Sequence, residues 1–169
     1  MMILWLNGPY GVGKSTLAET LHVALPDSFI FDAEQVGNAI RDNMPEAFYH
    51  ETFEEYPLWR ETCVRLLADI SRSHEGHVLV PMTLMHPASM DIFAHLKAEA
   101  ADVRHVILKA EAEAVHRRIL MRGEEPDCWC ARQTARCLDA QMNMPCDLRL
   151  PADDTPESLA KIVINTFKL

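Results

Sequence analysis

Eight consecutive residues, Gly8-Pro9-Tyr10-Gly11-Val12-Gly13-Lys14-Ser15, have the types and the spacing needed to hold phosphate. The glycines let the backbone bend closely, so that successive N–H groups face one centre and form an anion nest. A helix beginning at Lys14 would add the partial positive charge of its N-terminus. Lys14 can then reach the β- and γ-phosphates of a nucleotide, and the Ser15 hydroxyl can ligate Mg²⁺. With Thr16, the stretch from Gly8 is the expected site of a nucleoside triphosphate. Gly-x4-Gly-Lys-Ser carries weight only between a strand and a helix. Here the apolar run Met2 to Leu6 precedes it and the helix-like segment Lys14 to Leu25 follows it. The dinucleotide fingerprint Gly-x-Gly-x-x-Gly does not fit these positions.

A phosphate-binding loop alone does not separate switches, motors and kinases. The third apolar strand runs into Pro81-Met82-Thr83 with no acid, where a motor or switch would place a Mg²⁺-holding carboxylate. The guanine-reading Asn-Lys-x-Asp is also absent. Asp32 closes the second strand, at the same edge as the loop. It can take a proton from an acceptor hydroxyl or hold a Mg²⁺ water, and it can equally cap the helix that follows. Arg118 and Arg122 share one helix face, and Arg132 and Arg136 repeat the spacing on the next helix. Joined by a turn with Gly123 and Pro126, the two helices read as a phosphate-covering lid over about 117–137, with a solvated, salt-bridged face as the alternative. Lys14, Asp32 and the arginines of this cluster are thus the catalytic candidates, with Ser15 and Asp32 as metal ligands. Tyr56, Trp59, Arg60, Met82, Thr83 and His86 flank the third strand and make a candidate acceptor pocket, an apolar wall with a few polar groups. By spacing alone Trp59 also reads as core, and His86 as a structural residue before Pro87.

These residues need a scaffold that brings them to one edge. Strand and helix signals alternate from end to end. Expected strands are Met2 to Leu6, a short buried Phe29-Ile30-Phe31, His77 to Pro81, Val103 to Leu108 and Asp147 to Leu150. Leu17, Leu21 and Leu25 mark the inner face of the first helix, stopped by Pro26. Helices are also expected over Ala33–Asn43, from Pro57 with Trp59, Cys63, Leu66, Leu67 and Ile70 inward, and over Ser89–Ala101 with Ile92, Phe93, Leu96 and Ala100 inward. Further helices are expected over Glu111–Arg122, Trp129–Met142 and from Thr155, whose inner face is Leu159, Ile162, Val163 and Phe167. The segment Met44 to Tyr56 has no clear periodicity. The pattern predicts an α/β fold, a parallel sheet covered by helices on both faces with ligands at the carboxyl ends of the strands.

The chain has 169 residues, 49% apolar and 24% charged, and reads as one domain. Its net charge of −9 argues against a general nucleic-acid or anionic-membrane binder. No apolar run is long enough to span a bilayer, and no signal peptide is visible. Five cysteines without a secretion signal point to reduced thiols in the cytoplasm. Cys128-x-Cys130 with Cys137 lacks the Cys-x2-Cys spacing of a zinc knuckle. Monomer and homodimer both remain open.

Trp5-Leu6-Asn7-Gly8 with the loop, Tyr56-Pro57-Leu58-Trp59-Arg60, Val80-Pro81-Met82-Thr83 and His86-Pro87 together resemble the tunicamycin resistance protein family. More broadly the chain is similar to small kinases of the chloramphenicol phosphotransferase and shikimate kinase kind. The resemblance spans almost the whole chain and implies a three-layer P-loop fold with strand order 2-3-1-4-5. It also implies ATP binding, Asp32 as base or substrate anchor, and Arg118, Arg122 and Arg136 as lid arginines. The expected activity is Mg²⁺- and ATP-dependent phosphorylation of a small-molecule hydroxyl, on a nucleoside antibiotic or sugar-like compound. The alternatives are a protein that sequesters the antibiotic without chemistry, and a metabolite or nucleoside kinase with another substrate.

Overall fold

A computed structural model describes residues 1–99 and 101–169. Five parallel strands, β1 (Ile3–Asn7), β2 (Phe29–Ile30), β3 (Val78–Pro81), β4 (Val103–Lys109) and β5 (Leu148–Pro151), lie in the order β2-β3-β1-β4-β5. This is the expected three-layer P-loop kinase-like architecture. Among the described residues seven α-helices connect and cover the strands: α1 (Lys14–Ala24), α2 (Ala33–Arg41), α3 (Pro57–Ser73), α4 (Asp91–Ala98), α5 (Ala112–Met121), α6 (Trp129–Met142) and α7 (Pro156–Phe167).

The central strand shows why both faces are covered. All five residues of β1 are buried, and they alternate between two cores. Leu4 and Leu6 pack with Leu17 and Leu21 of α1, Val115 and Ile119 of α5, and Leu159 and Val163 of α7. Ile3 and Trp5 pack on the other side with Trp59, Cys63 and Leu67 of α3 and with Ile92, Phe93 and Leu96 of α4. A parallel strand buried on both faces reads as a continuous apolar run because neither face meets water.

The structure corrects several expectations. β2 is an edge strand with Phe29 46% exposed, so it is not fully buried. Leu66 and Ile162 point outward, because the covering helices bury a narrower stripe than the apolar pattern suggested. The helix expected from Ser89 begins as a 3₁₀ turn, Pro87–Met90, and becomes α-helical at Asp91. Ala100 lies outside the described residues. The undecided segment before α3 holds two 3₁₀ turns, Glu46–Phe48 and Phe53–Glu55, the second closed by a capping box between Thr52 and Glu55.

Candidate active site

The loop between β1 and α1 wraps around the end of the sheet with Gly8, Gly11 and Gly13 all at positive φ. At Gly8 a side chain would also strike the Leu108 carbonyl, 2.8 Å from the Cβ position, so the loop entrance tolerates glycine alone. Gly13, at φ 109°, delivers the chain straight into α1 and leaves the helix N-terminus without a side-chain cap, open to an anion. A cavity of about 610 Å³ sits on this loop. Tyr10, Gly11, Val12, Gly13, Lys14, Ser15 and Thr16 line it, with Arg118 and Met121 of α5 and Arg122 at the end of that helix, and with Glu34, Pro81, Glu124, Cys130 and Asp154. Leu108, Ala152, Pro156 and Leu159 give it an apolar side suited to a flat base.

Within the cavity Lys14 folds back, its Nζ donating to the carbonyls of Gly8 and Pro9 at 3.0 Å each. Burial lowers the Lys14 pKa to about 8, so the charge is held ready but weakly. Its ammonium lies 5.5 Å from the centre of the Tyr10 ring, which packs edge-on against Trp129 at 4.8 Å. The start of α6 is thereby placed beside the phosphate loop. Ser15 and Thr16 open on the cavity, and a hydroxyl at the head of a helix fits a Mg²⁺ ligand.

The four arginines do not act alike. Arg118 and Arg122 reach the cavity. Arg118 donates to the carbonyls of Val12 (3.0 Å) and Ala152, and lies 3.6 Å from Asp153. Arg122 pairs with Glu124 at 2.7 Å. Arg132 turns back to the Asp127 carbonyl, and Arg136 is bound to Glu51 at 2.8 Å, off the cavity wall. Of the four arginines expected over the phosphates, the structure brings Arg118 and Arg122 to the cavity. Equal spacing does not give the second pair the same surroundings, because Arg136 meets Glu51 before α3 while Arg132 folds back on the turn that precedes α6.

Asp32 caps α2, its Oδ1 accepting from the N–H groups of Glu34 (3.0 Å) and Gln35 (3.3 Å). The carboxylates that line the cavity are Glu34, one position into α2, Glu124, which pairs with Arg122, and Asp154 beyond β5, none of which the sequence singles out. Asp32-Ala33-Glu34 placed two acids at the strand end, and only the topology shows which faces the loop.

The expected acceptor residues are gathered near the same edge but used mainly as scaffold. Trp59 is fully buried and its Nε1 donates to the Ala33 carbonyl at 2.8 Å. Tyr56 is buried, with its hydroxyl accepting from His50 N at 2.9 Å. Arg60 donates to the Glu54 carbonyl. Met82 is buried and its carbonyl takes the Trp5 indole N–H. Thr83 donates its hydroxyl to the Gly8 carbonyl at 2.9 Å, so it serves the phosphate loop. His86 is half-buried and caps the 3₁₀ turn by accepting from Ala88 N. The organiser of this region is Glu54, which periodicity could not reveal inside an acidic run. It is 1% exposed, and its carboxylate accepts from Met85 N, His86 N (3.0 Å each) and the Ser89 hydroxyl.

The five cysteines are free, and among the described residues no cluster suits a metal. Burial raises the Cys137 thiol to about 11, and its sulfur contacts that of Met85.

The family model of the AAA domain matches residues 3–143, which contain the phosphate loop and both cavity arginines. The chain belongs to the AAA domain family. This AAA domain is similar to the tunicamycin resistance protein of Deinococcus radiodurans, at 27% identity over 99% of this chain and 96% of that one, with a TM-score of 0.83. It shares the fold of the shikimate kinase of Bacteroides thetaiotaomicron, at 20% identity over 99% of both chains and a TM-score of 0.66. It also shares that of the Mycobacterium tuberculosis APS kinase in complex with AMPPNP and APS, at 16% identity over 99% of this chain and 98% of that one and a TM-score of 0.64. No curated protein matches. No described helix of the AAA domain is long and apolar enough to cross a membrane.

Proposed function

We propose that this protein is an ATP- and Mg²⁺-dependent phosphotransferase that acts on a hydroxyl of a small molecule, with a nucleoside antibiotic of the tunicamycin kind as the first candidate. One observation carries the reading: one cavity is lined by the phosphate loop, Lys14, Arg118, Arg122 and, besides the Arg122-paired Glu124, the carboxylates Glu34 and Asp154. That is a donor site with a proton acceptor in reach, and the similarity to a tunicamycin resistance protein supports the choice of acceptor.

In this reading the loop N–H groups and the head of α1 bind the β- and γ-phosphates. Lys14 leaves the carbonyls of Gly8 and Pro9 for the phosphate oxygens, and Arg118 and Arg122 stabilise the charge that builds on the transferring group. Ser15, with Asp32 through water, is where Mg²⁺ would be held, and the ion would supply positive charge to the phosphates. Glu34, or Asp32 through its uncommitted Oδ2, takes the acceptor's proton.

Incubation with ATP, Mg²⁺ and tunicamycin, followed by mass spectrometry, should show a product one phosphate heavier. Glu34→Gln and Asp32→Asn identify the base by which of them stops product formation while binding persists. Saturable tunicamycin binding with no phosphorylated product would defeat the enzyme reading for this compound and leave a sequestering protein.

A further inference from the structure

Asn7, the last residue of β1, is fully buried, and both polar atoms of its side chain are engaged. Its Oδ1 accepts from Gly8 N at 2.7 Å, Leu84 N at 2.8 Å and Gln141 Nε2 at 3.0 Å. Its Nδ2 donates to the Leu84 carbonyl and to His105 Nε2, both at 3.1 Å. The direction of the last bond follows from the other ring nitrogen. His105 Nδ1 lies 2.8 Å from the Pro145 carbonyl, which only accepts, so Nδ1 carries the proton and Nε2 is the acceptor. Burial lowers the His105 pKa to about 4, and the ring is neutral at neutral pH.

The partners come from three parts of the site. Gly8 begins the phosphate loop, Leu84 belongs to the loop leaving β3 on the acceptor side, and Gln141 is near the end of α6, the lid-side helix. The other end of Gly8 is pinned too, its carbonyl taking the Thr83 hydroxyl and the Lys14 ammonium. Each polar group of the residue that opens the phosphate loop is therefore met by a side chain from outside the loop, Asn7 at the N–H and Thr83 at the carbonyl. Only an amide can do what Asn7 does, since three donors meet its oxygen while the Leu84 carbonyl, His105 Nε2 and, at 3.5 Å, the Met144 sulfur meet its nitrogen. A carboxylate would oppose the Leu84 carbonyl and the His105 lone pair, and alanine would strand Gly8 N and Leu84 N in a dry interior.

We propose that Asn7 is a positioning residue that ties the phosphate loop to the acceptor-side loop Met82–His86 and to α6, so that phosphate affinity depends on all three. The proposal rests on the reading of the phosphate loop as a nucleotide site and is independent of the acceptor and of phosphoryl transfer.

The test is calorimetric titration of the folded protein with AMPPNP and Mg²⁺, alongside thermal unfolding, for the wild type and for Asn7→Ala, Asn7→Asp and Gln141→Ala. Both Asn7 variants should weaken AMPPNP by about 10-fold or more, and Gln141→Ala by about 3-fold. In Asn7→Asp the new carboxylate should also raise the His105 pKa by about one unit or more, seen in the ring ¹⁵N shifts during a pH titration. A lower unfolding temperature with AMPPNP affinity unchanged in the folded Asn7 variants would make the cluster packing only and overturn the proposal. If the Asn7 variants do not fold, an unchanged affinity in Gln141→Ala overturns it. A wild type that does not bind AMPPNP overturns the nucleotide reading and this proposal together, an outcome distinct from wild-type binding with unaffected variants.

Discussion

The two halves of the site are built in opposite ways. The nucleotide half is one contiguous loop, and its reactive side chains line the cavity: Ser15 and Thr16 are exposed, and Lys14 is held by carbonyls of its own loop, those of Gly8 and Pro9. The acceptor half is assembled from segments far apart in the chain, and its polar side chains are occupied with one another. Glu54 reaches 31 residues to Met85, Thr83 reaches 75 residues to Gly8, and Trp59 reaches 26 residues to Ala33. Contiguity lets a motif be set by local backbone geometry. A site made of distant pieces first has to hold itself in place, and much of its chemistry is spent on that.

The largest effect should come from the exposed half. Lys14→Ala removes the one ammonium on the loop and should lower kcat/KM for phosphoryl transfer by about 10³-fold, with the unfolding temperature nearly unchanged. Steady-state kinetics and a thermal melt together check it. A comparable loss of stability would mean that the two halves are not built differently after all.

In the occupied half the prediction reverses. Glu54→Ala leaves Met85 N, His86 N and the Ser89 hydroxyl without their acceptor and should cost about 3 kcal/mol of folding stability. Glu54→Gln keeps one oxygen and should cost about half of that. Chemical denaturation measures both. AMPPNP binding by whatever protein remains folded should weaken by only about 3-fold, through the loop Met82–His86 that Glu54 anchors, because Glu54 itself lies outside the cavity lining.

A third prediction concerns pH. Lys14 loses its proton near pH 8 in the free protein, and bound phosphate favours the protonated form. Below pH 8 this group gives no slope. Above pH 8 binding must take up a proton, and AMPPNP affinity should fall toward about 10-fold per pH unit. Calorimetry in two buffers of different ionisation enthalpy counts the proton. A flat profile to pH 9.5 would place the lysine in a wetter setting than its folded-back geometry implies.

The same contrast explains what could be read in advance. The phosphate loop, the strand order and the two-faced core were legible because each follows from local spacing or from a resemblance carried by short motifs. Asp32 was legible as a residue at the strand end, but its role as cap and the exposure of Glu34 to the cavity depend on the turn of one helix. Glu54 was hidden because an acidic run without apolar periodicity reads as solvated surface, and only the fold reveals that one of its carboxylates is dry. Asn7 and Gln141 stand 134 residues apart, and nothing local in either predicts that they meet.

Arg136 gives the smallest expected effect and the sharpest check on where the lid ends. By helical spacing it pairs with Arg132 as Arg122 does with Arg118. In the structure it is held by Glu51, which also takes the Gln133 amide at 2.6 Å, and both members of the ion pair are 48% exposed. An exposed pair of this kind is worth less than about 1 kcal/mol, so Arg136→Ala should move stability by no more than that. It should also leave AMPPNP affinity within about 2-fold, whereas Arg118→Ala, which removes contacts to Val12 and Ala152 at the cavity itself, should weaken it by about 10-fold. If Arg136→Ala instead cuts phosphoryl transfer by two orders of magnitude at normal stability, Arg136 leaves Glu51 when substrates are bound. The acidic segment before α3 would then be the latch that frees it, and the boundary between the two halves would move onto α6.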